Sequence, residues 1–175
     1  QKHNGPFVIR YPRGTGSMVE WQTPFEAVEI GRGRRLRNGE DIALLSIGAI
    51  GTEVSKAADA LAQRGLQPAH YDMRFVKPLD ETMLHEVFSR FKDVITIEDG
   101  CVQGGMGSAV AEWAMEQGYA ARVARLGVPD RYIEHGTQAQ LYKECGYDAD
   151  AIVAKASEMC EARAAKSGDS GMRIA

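Results

Sequence analysis

Apolar and polar residues alternate between two rhythms along most of this chain. Phe25 to Ile30 alternates apolar with charged, the period of a half-buried strand. Ile42 to Ile47 is an apolar run, suited to a strand covered on both faces. From Thr52 to Gln63 the rhythm changes. Val54, Ala57, Ala58 and Leu61 fall on one helical face, and Gly65 follows as a stop signal. Ala69 to Phe75 returns to strand character. Asp80 then stands as N-cap of a helix through Phe88, with Met83, Leu84, Val87 and Phe88 on one stripe. Val94–Ile97 is a short buried strand, and a glycine-rich stretch from Gly100 to Gly107 opens a helix carrying Val110, Trp113 and Ala114. Val123–Val128 reads as a last strand. Helices over Thr137–Cys145 and Asp148–Ala165 close the pattern, and the small, polar stretch from Lys166 reads as a frayed tail.

Strands alternating with helices at this spacing predict an α/β fold. The expected form is a three-layer sandwich around a mostly parallel five-stranded sheet. The connection from Phe25–Ile30 to Ile42–Ile47 is short and holds the turn signal Asn38-Gly39. A parallel crossover needs a dozen or more residues, so the first of the five strands is expected to run antiparallel. Before this region, residues 1–24 hold three glycines and three prolines, with one short apolar run, Phe7-Val8-Ile9. That run reads as a lone strand whose sheet partners lie in other parts of a longer protein.

Composition sharpens the picture only in places. Apolar residues make up 44% of the 175 and charged residues 26%, a globular balance that argues against disorder. No apolar run approaches the roughly 18 residues of a membrane span. The net charge of −3 gives no reason to expect nucleic acid. Charge is uneven: residues 1–37 carry seven basic and three acidic side chains, the remainder 14 and 21. Cys101, Cys145 and Cys160 are odd in number and far apart, which suggests neither a disulfide framework nor a zinc site. A reducing cytoplasm is the matching compartment. The chain opens at Gln1 without a signal-peptide pattern, and is expected to be processed or a piece of something longer.

Candidate chemistry is sparse. Gly104-Gly105-Met106-Gly107 sits where a phosphate-cradling loop would sit, between a strand and a helix. It matches neither dinucleotide nor P-loop spacing, so a tight turn is the favoured reading. Glu98-Asp99 at a strand end invites a metal or acid–base role but reads better as a polar strand terminus. His70, His85 and His135 stand apart without metal spacing, and His3 lies near the terminus. The basic run Arg32 to Arg37 lacks interleaved aromatics and is expected to be a solvated loop between strands. Arg13 follows Tyr11-Pro12, whose restricted backbone would hold its guanidinium rigidly for a phosphate or carboxylate.

Several segments taken together resemble one family. They are Arg10-Tyr11-Pro12-Arg13-Gly14, Asp72 to Asp80 (DMRFVKPLD), Glu98-Asp99 leading to Gly104–Ser108, Leu126-Gly127-Val128-Pro129-Asp130 and His135-Gly136-Thr137. In order and spacing they resemble the C-terminal part of the 1-deoxy-D-xylulose-5-phosphate synthases, transketolase-like thiamine enzymes, over about Pro6 to Ala164. The resemblance implies a transferase of three domains that joins pyruvate to D-glyceraldehyde 3-phosphate with loss of carbon dioxide. Its product feeds isoprenoid, thiamine and pyridoxal synthesis.

On that reading residues 1–20 end the middle, pyrimidine-binding domain and its linker. Residues 21–165 form the transketolase C-terminal-like domain, and 166–175 a tail. Thiamine diphosphate and Mg²⁺ would be held by the missing N-terminal and middle domains, and no cofactor or metal is expected on this chain. The full enzyme would be a cytoplasmic homodimer with neither nucleic acid nor membrane as partner, and this domain would supply structure and dimer contacts. No catalytic residue is expected here, and Arg13 matches the family's phosphate-binding arginine. The competing readings are the C-terminal domain of a transketolase or of a 2-oxo acid dehydrogenase β-subunit, or a free-standing regulatory α/β module.

Overall fold

The computed structural model describes residues 26–169 together with Gly5, Pro6, Val8, Ile9 and Pro24. The elements in chain order are β1 (Arg34–Arg37), β2 (Ile42–Ile47), α1 (Gly51–Gln63), β3 (Pro68–Asp72) and α2 (Glu81–Arg90). There follow β4 (Asp93–Cys101), α3 (Met106–Glu116), β5 (Arg122–Val128), α4 (Gln138–Cys145) and α5 (Ala149–Asp169). A one-turn 3₁₀ segment, Gly48–Ile50, leads from β2 into α1.

The five strands form one sheet in the order β1-β3-β2-β4-β5. β1 is antiparallel to β3, and the other pairings are parallel. The crossovers β2–α1–β3 and β3–α2–β4 run in opposite directions across the sheet, so their helices cover opposite faces. The core divides accordingly. Ile42 and Leu44 point to one side, against Val54 and Leu61 of α1 and Ile152 and Ala156 of α5. Ala43 and Leu45 point to the other, against Leu84 and Val87 of α2 and Val110 and Trp113 of α3. The α/β three-layer expectation holds, and so does its antiparallel first strand.

The position of that first strand does not hold. Residues 26–29 form no strand, and Val28 and Ile30 are 52% and 60% exposed, so the alternation there marks no buried face. The strand is instead part of the basic run that was expected to be a loop. Each of its arginines meets an acid on a neighbouring element: Arg34 to Asp72 at 3.0 Å, Arg35 to Glu86 at 2.8 Å, Arg37 to Asp59 at 2.5 Å. A short, charged strand suits a sheet edge, where cations discourage further pairing. Val8 and Ile9 are exposed and belong to no strand, while Phe7 lies outside the described residues. At the other end α5 runs beyond Ala165 to Asp169, further than its apolar pattern suggested.

Local signals explain the helix ends. The Asp80 carboxylate accepts from the Met83 amide at 3.0 Å and caps α2. It also accepts from the Gly33 amide at 2.9 Å, which pins the approach to β1. Thr137 and Gln140 form a reciprocal capping box on α4, and Gly146 ends that helix at φ 73°.

Candidate functional site

In a sheet of this order the direction of winding reverses between β2 and β4. The carboxyl ends of those two strands are where such folds leave a crevice. A cleft of about 1370 Å³ opens there. It is lined by Ile47 at the end of β2, by Gly48 and Ala49 after it, and by Glu98, Asp99 and Gly100 of β4. The loop through His135 and Thr137, together with Leu141, Tyr142 and Tyr147, walls the far side.

Asp99 is the fixed polar group of this cleft. Its Oδ1 accepts from the Tyr147 hydroxyl at 2.9 Å and its Oδ2 from the Tyr142 hydroxyl at 3.2 Å, yet the residue remains exposed. The two rings lie 4.9 Å apart and are buried. Burial, then the Asp99 charge, pushes the Tyr142 hydroxyl up to about 12. Burial and the hydrogen bond to Asp99 drive Tyr147 upward as well. Both tyrosines therefore stay protonated donors and hold the carboxylate in one orientation.

Glu98 does something different. It is 7% exposed, and its two oxygens accept from the Met106 and Gly107 amides, each at 2.8 Å. The first turn of α3 thus has an internal anion on the donors that a phosphate would otherwise use. The glycines are there for space. A Cβ on Gly105 would strike the Glu98 carboxylate and the Cys101 carbonyl, and one on Gly107 would strike Thr96 Oγ1. The tight-turn reading of the glycine loop is supported. Glu98, read from the sequence as a polar strand terminus, is buried within β4 and caps α3. The place does not fit a diphosphate, and among the described residues no three His, Cys, Asp or Glu stand close enough to hold a metal ion.

The remaining candidates scatter. His70 is buried, with Ser46 Oγ 2.8 Å from Nε2 and Ser55 Oγ 3.5 Å from Nδ1. Burial pulls it down to about 4; Asp72 opposes this, and Arg37 and Arg34 add to it. His85 packs edge-on to Trp113 at 4.8 Å and reaches the Tyr119 hydroxyl through Nδ1 at 2.7 Å. Of the described histidines, His135 lines the cleft. Arg13 and His3 lie outside the described residues. All three cysteines are free, and burial pushes the Cys145 and Cys160 thiols up, away from reactivity. Sequence reasoning missed the Tyr142–Asp99–Tyr147 brace. The tyrosines are 43 and 48 residues from the aspartate, and no local pattern joins them.

Comparison with known proteins places this geometry in context. A family model described as transketolase, C-terminal domain, matches residues 31–152. The chain is 59% identical over 152 residues to the 1-deoxy-D-xylulose-5-phosphate synthase of Cytophaga hutchinsonii, covering 87% of this chain and 24% of that protein. It is 50% identical over 158 residues to the enzyme of the same name from Bacteroides thetaiotaomicron, covering 90% and 24%. The chain therefore spans about a quarter of the length of these curated relatives. Among solved structures, a split-gene transketolase in an inactive β4 tetramer superposes with a TM-score of 0.73 at 33% identity, over 80% of this chain and 46% of that one. A Campylobacter jejuni transketolase superposes at 0.51 and 17% identity, over 74% and 18%, a likeness of fold alone.

Proposed function

The chain belongs to the transketolase C-terminal domain family, and from that premise we propose that it is the third domain of a 1-deoxy-D-xylulose-5-phosphate synthase. The observation that carries this is its identity to synthases, which far exceeds its identity to the two transketolases. The whole enzyme joins pyruvate to D-glyceraldehyde 3-phosphate and releases carbon dioxide. It is a cytoplasmic homodimer. Thiamine diphosphate and Mg²⁺ are held by its other domains, in keeping with the filled helix terminus at Glu98. No step of that chemistry is assigned to the described residues. Their part is to carry the domain and its contacts. Arg13 binds the phosphate of the aldehyde, a role that rests on its place in Tyr11-Pro12-Arg13-Gly14.

The test of activity uses the complete polypeptide that contains this chain, supplied with thiamine diphosphate and Mg²⁺. Formation of 1-deoxyxylulose 5-phosphate from pyruvate and glyceraldehyde 3-phosphate is expected. Ketol transfer between sugar phosphates without that product would overturn the proposal. The chain alone should show no turnover. For Arg13, replacement by Ala removes a charge-assisted contact and should lower kcat/KM for glyceraldehyde 3-phosphate by about 10- to 200-fold. Arg13→Lys should recover part of the loss. Unphosphorylated glyceraldehyde is the control. An equal loss with that acceptor would make Arg13 a structural residue of its loop.

A further inference from the structure

The cleft between β2 and β4 plays no part in the proposed reaction, yet it has a definite chemistry. Of the described side chains that line it, Glu98, Asp99 and Glu134 are acidic and none is Lys or Arg. Glu98 is spent on the α3 amides, whereas among the described residues Asp99 pairs with no cation and accepts from two tyrosine hydroxyls. The donors that hold Asp99 are neutral hydroxyls on side chains that are themselves buried. A carboxylate oriented by neutral donors keeps its full charge and its remaining lone pairs for a cation. The wall offers apolar and aromatic surface at Ile133, Leu141, Val128 and the two tyrosines, beside the polar His135, Thr137, Gln138 and Gln140.

We propose that this cleft is a binding site for a small organic cation, an ammonium group set against Asp99 with its hydrocarbon body along Leu141 and Ile133. The aromatic pair beside the carboxylate suits an ammonium ion as well, since tyrosine rings attract cations. An anion would meet three carboxylates and a helix terminus already occupied. The cleft, about 1370 Å³ and open to solvent, has room for the hydrocarbon body of a small ligand beside Asp99, and contact of that body with the wall adds to the affinity that charge alone supplies.

The experiment is ligand-observed saturation-transfer NMR, run on the complete polypeptide and on the 175-residue chain. Benzylammonium, benzyl alcohol and benzoate share one ring and differ in charge. Saturable binding of benzylammonium is expected, with benzyl alcohol weaker by about tenfold and benzoate weaker still. Asp99→Asn should weaken benzylammonium by about tenfold or more. Tyr147→Phe leaves the charge but removes one of the two hydroxyls that orient the carboxylate, and should weaken it by a smaller factor. Equal binding of benzoate and benzylammonium would overturn the proposal, even where Asp99→Asn fails to fold. So would unchanged binding in both variants. Binding to the chain but not to the complete polypeptide would mean that a basic side chain from elsewhere in the protein fills the place, and would overturn it too.

Discussion

Single side chains set two measurable quantities in this molecule. His70 titrates at about 4 when folded and near 6.5 when unfolded, because burial penalises its charged form. The unfolded state therefore binds the extra proton first as pH falls. The stability held by neutral His70 is fully present above about pH 6.5 and declines between there and about 4, by about 3 kcal/mol in total. Urea unfolding of the wild type and of His70→Gln at pH 7, 5.5 and 4.5 isolates this part, and the variant's slope with pH should be flatter. Glu98 supplies the second quantity. Glu98→Gln keeps the size but loses the charge, and one of its two amide partners then faces an NH₂ group. A loss of about 1.5–3 kcal/mol is expected in the same denaturation experiment. Neither residue's role is written in its neighbours. Glu98 was legible as a candidate from its place at a strand end, but the amides it accepts from belong to Met106 and Gly107.

At the level of elements, those with strong local patterns matched their sequence. α1, α2 and α3 follow their apolar stripes, α2 also its Asp80 cap, and β2 follows its apolar run. β1 was illegible for a physical reason. An edge strand gains its apolar contacts on one side at most. Here even those are replaced by three arginine–carboxylate pairs whose acids come from β3, α2 and α1. These pairs are largely exposed, and single Arg→Ala changes at 34, 35 or 37 should each cost under about 1 kcal/mol, less still in high salt. Chemical denaturation at low and high ionic strength reads this directly. Gly146 gives a cleaner element-level test. A Cβ there would meet nothing within 4 Å, so Gly146→Ala reports the backbone alone. Its φ of 73° should make the change cost about 1–2 kcal/mol, with Asn less harmful than Ala.

Across the whole molecule, one buried charge ties the last helix to the sheet. Asp93 is fully buried at the start of β4 and pairs with Arg122 of β5 at 2.6 Å and Arg163 of α5 at 3.2 Å. Arg163 also donates to the Asp41 carbonyl at 2.6 Å, before β2. Asp93→Ala leaves two arginines without their shared partner, though both are partly exposed and can hydrate. A cooperative loss of about 2–4 kcal/mol is expected, and hydrogen exchange should show β5 and α5 losing protection together. None of this network could be read along the chain, since its members stand up to 122 residues apart. The sequence by itself determined the order of elements from β2 onward, the α/β class, the presence though not the residues of an antiparallel first strand, and the family. Each of these follows from periodicity, caps, loop lengths and contiguous motifs, which are local. Only the tertiary structure decided which basic residues form the edge strand, that Glu98 fills the helix terminus offered by the glycine loop, and that Asp99 stands braced in a cleft. These depend on which distant side chains the crossovers bring to the carboxyl edge of the sheet, and partners chosen by topology leave no period in the sequence.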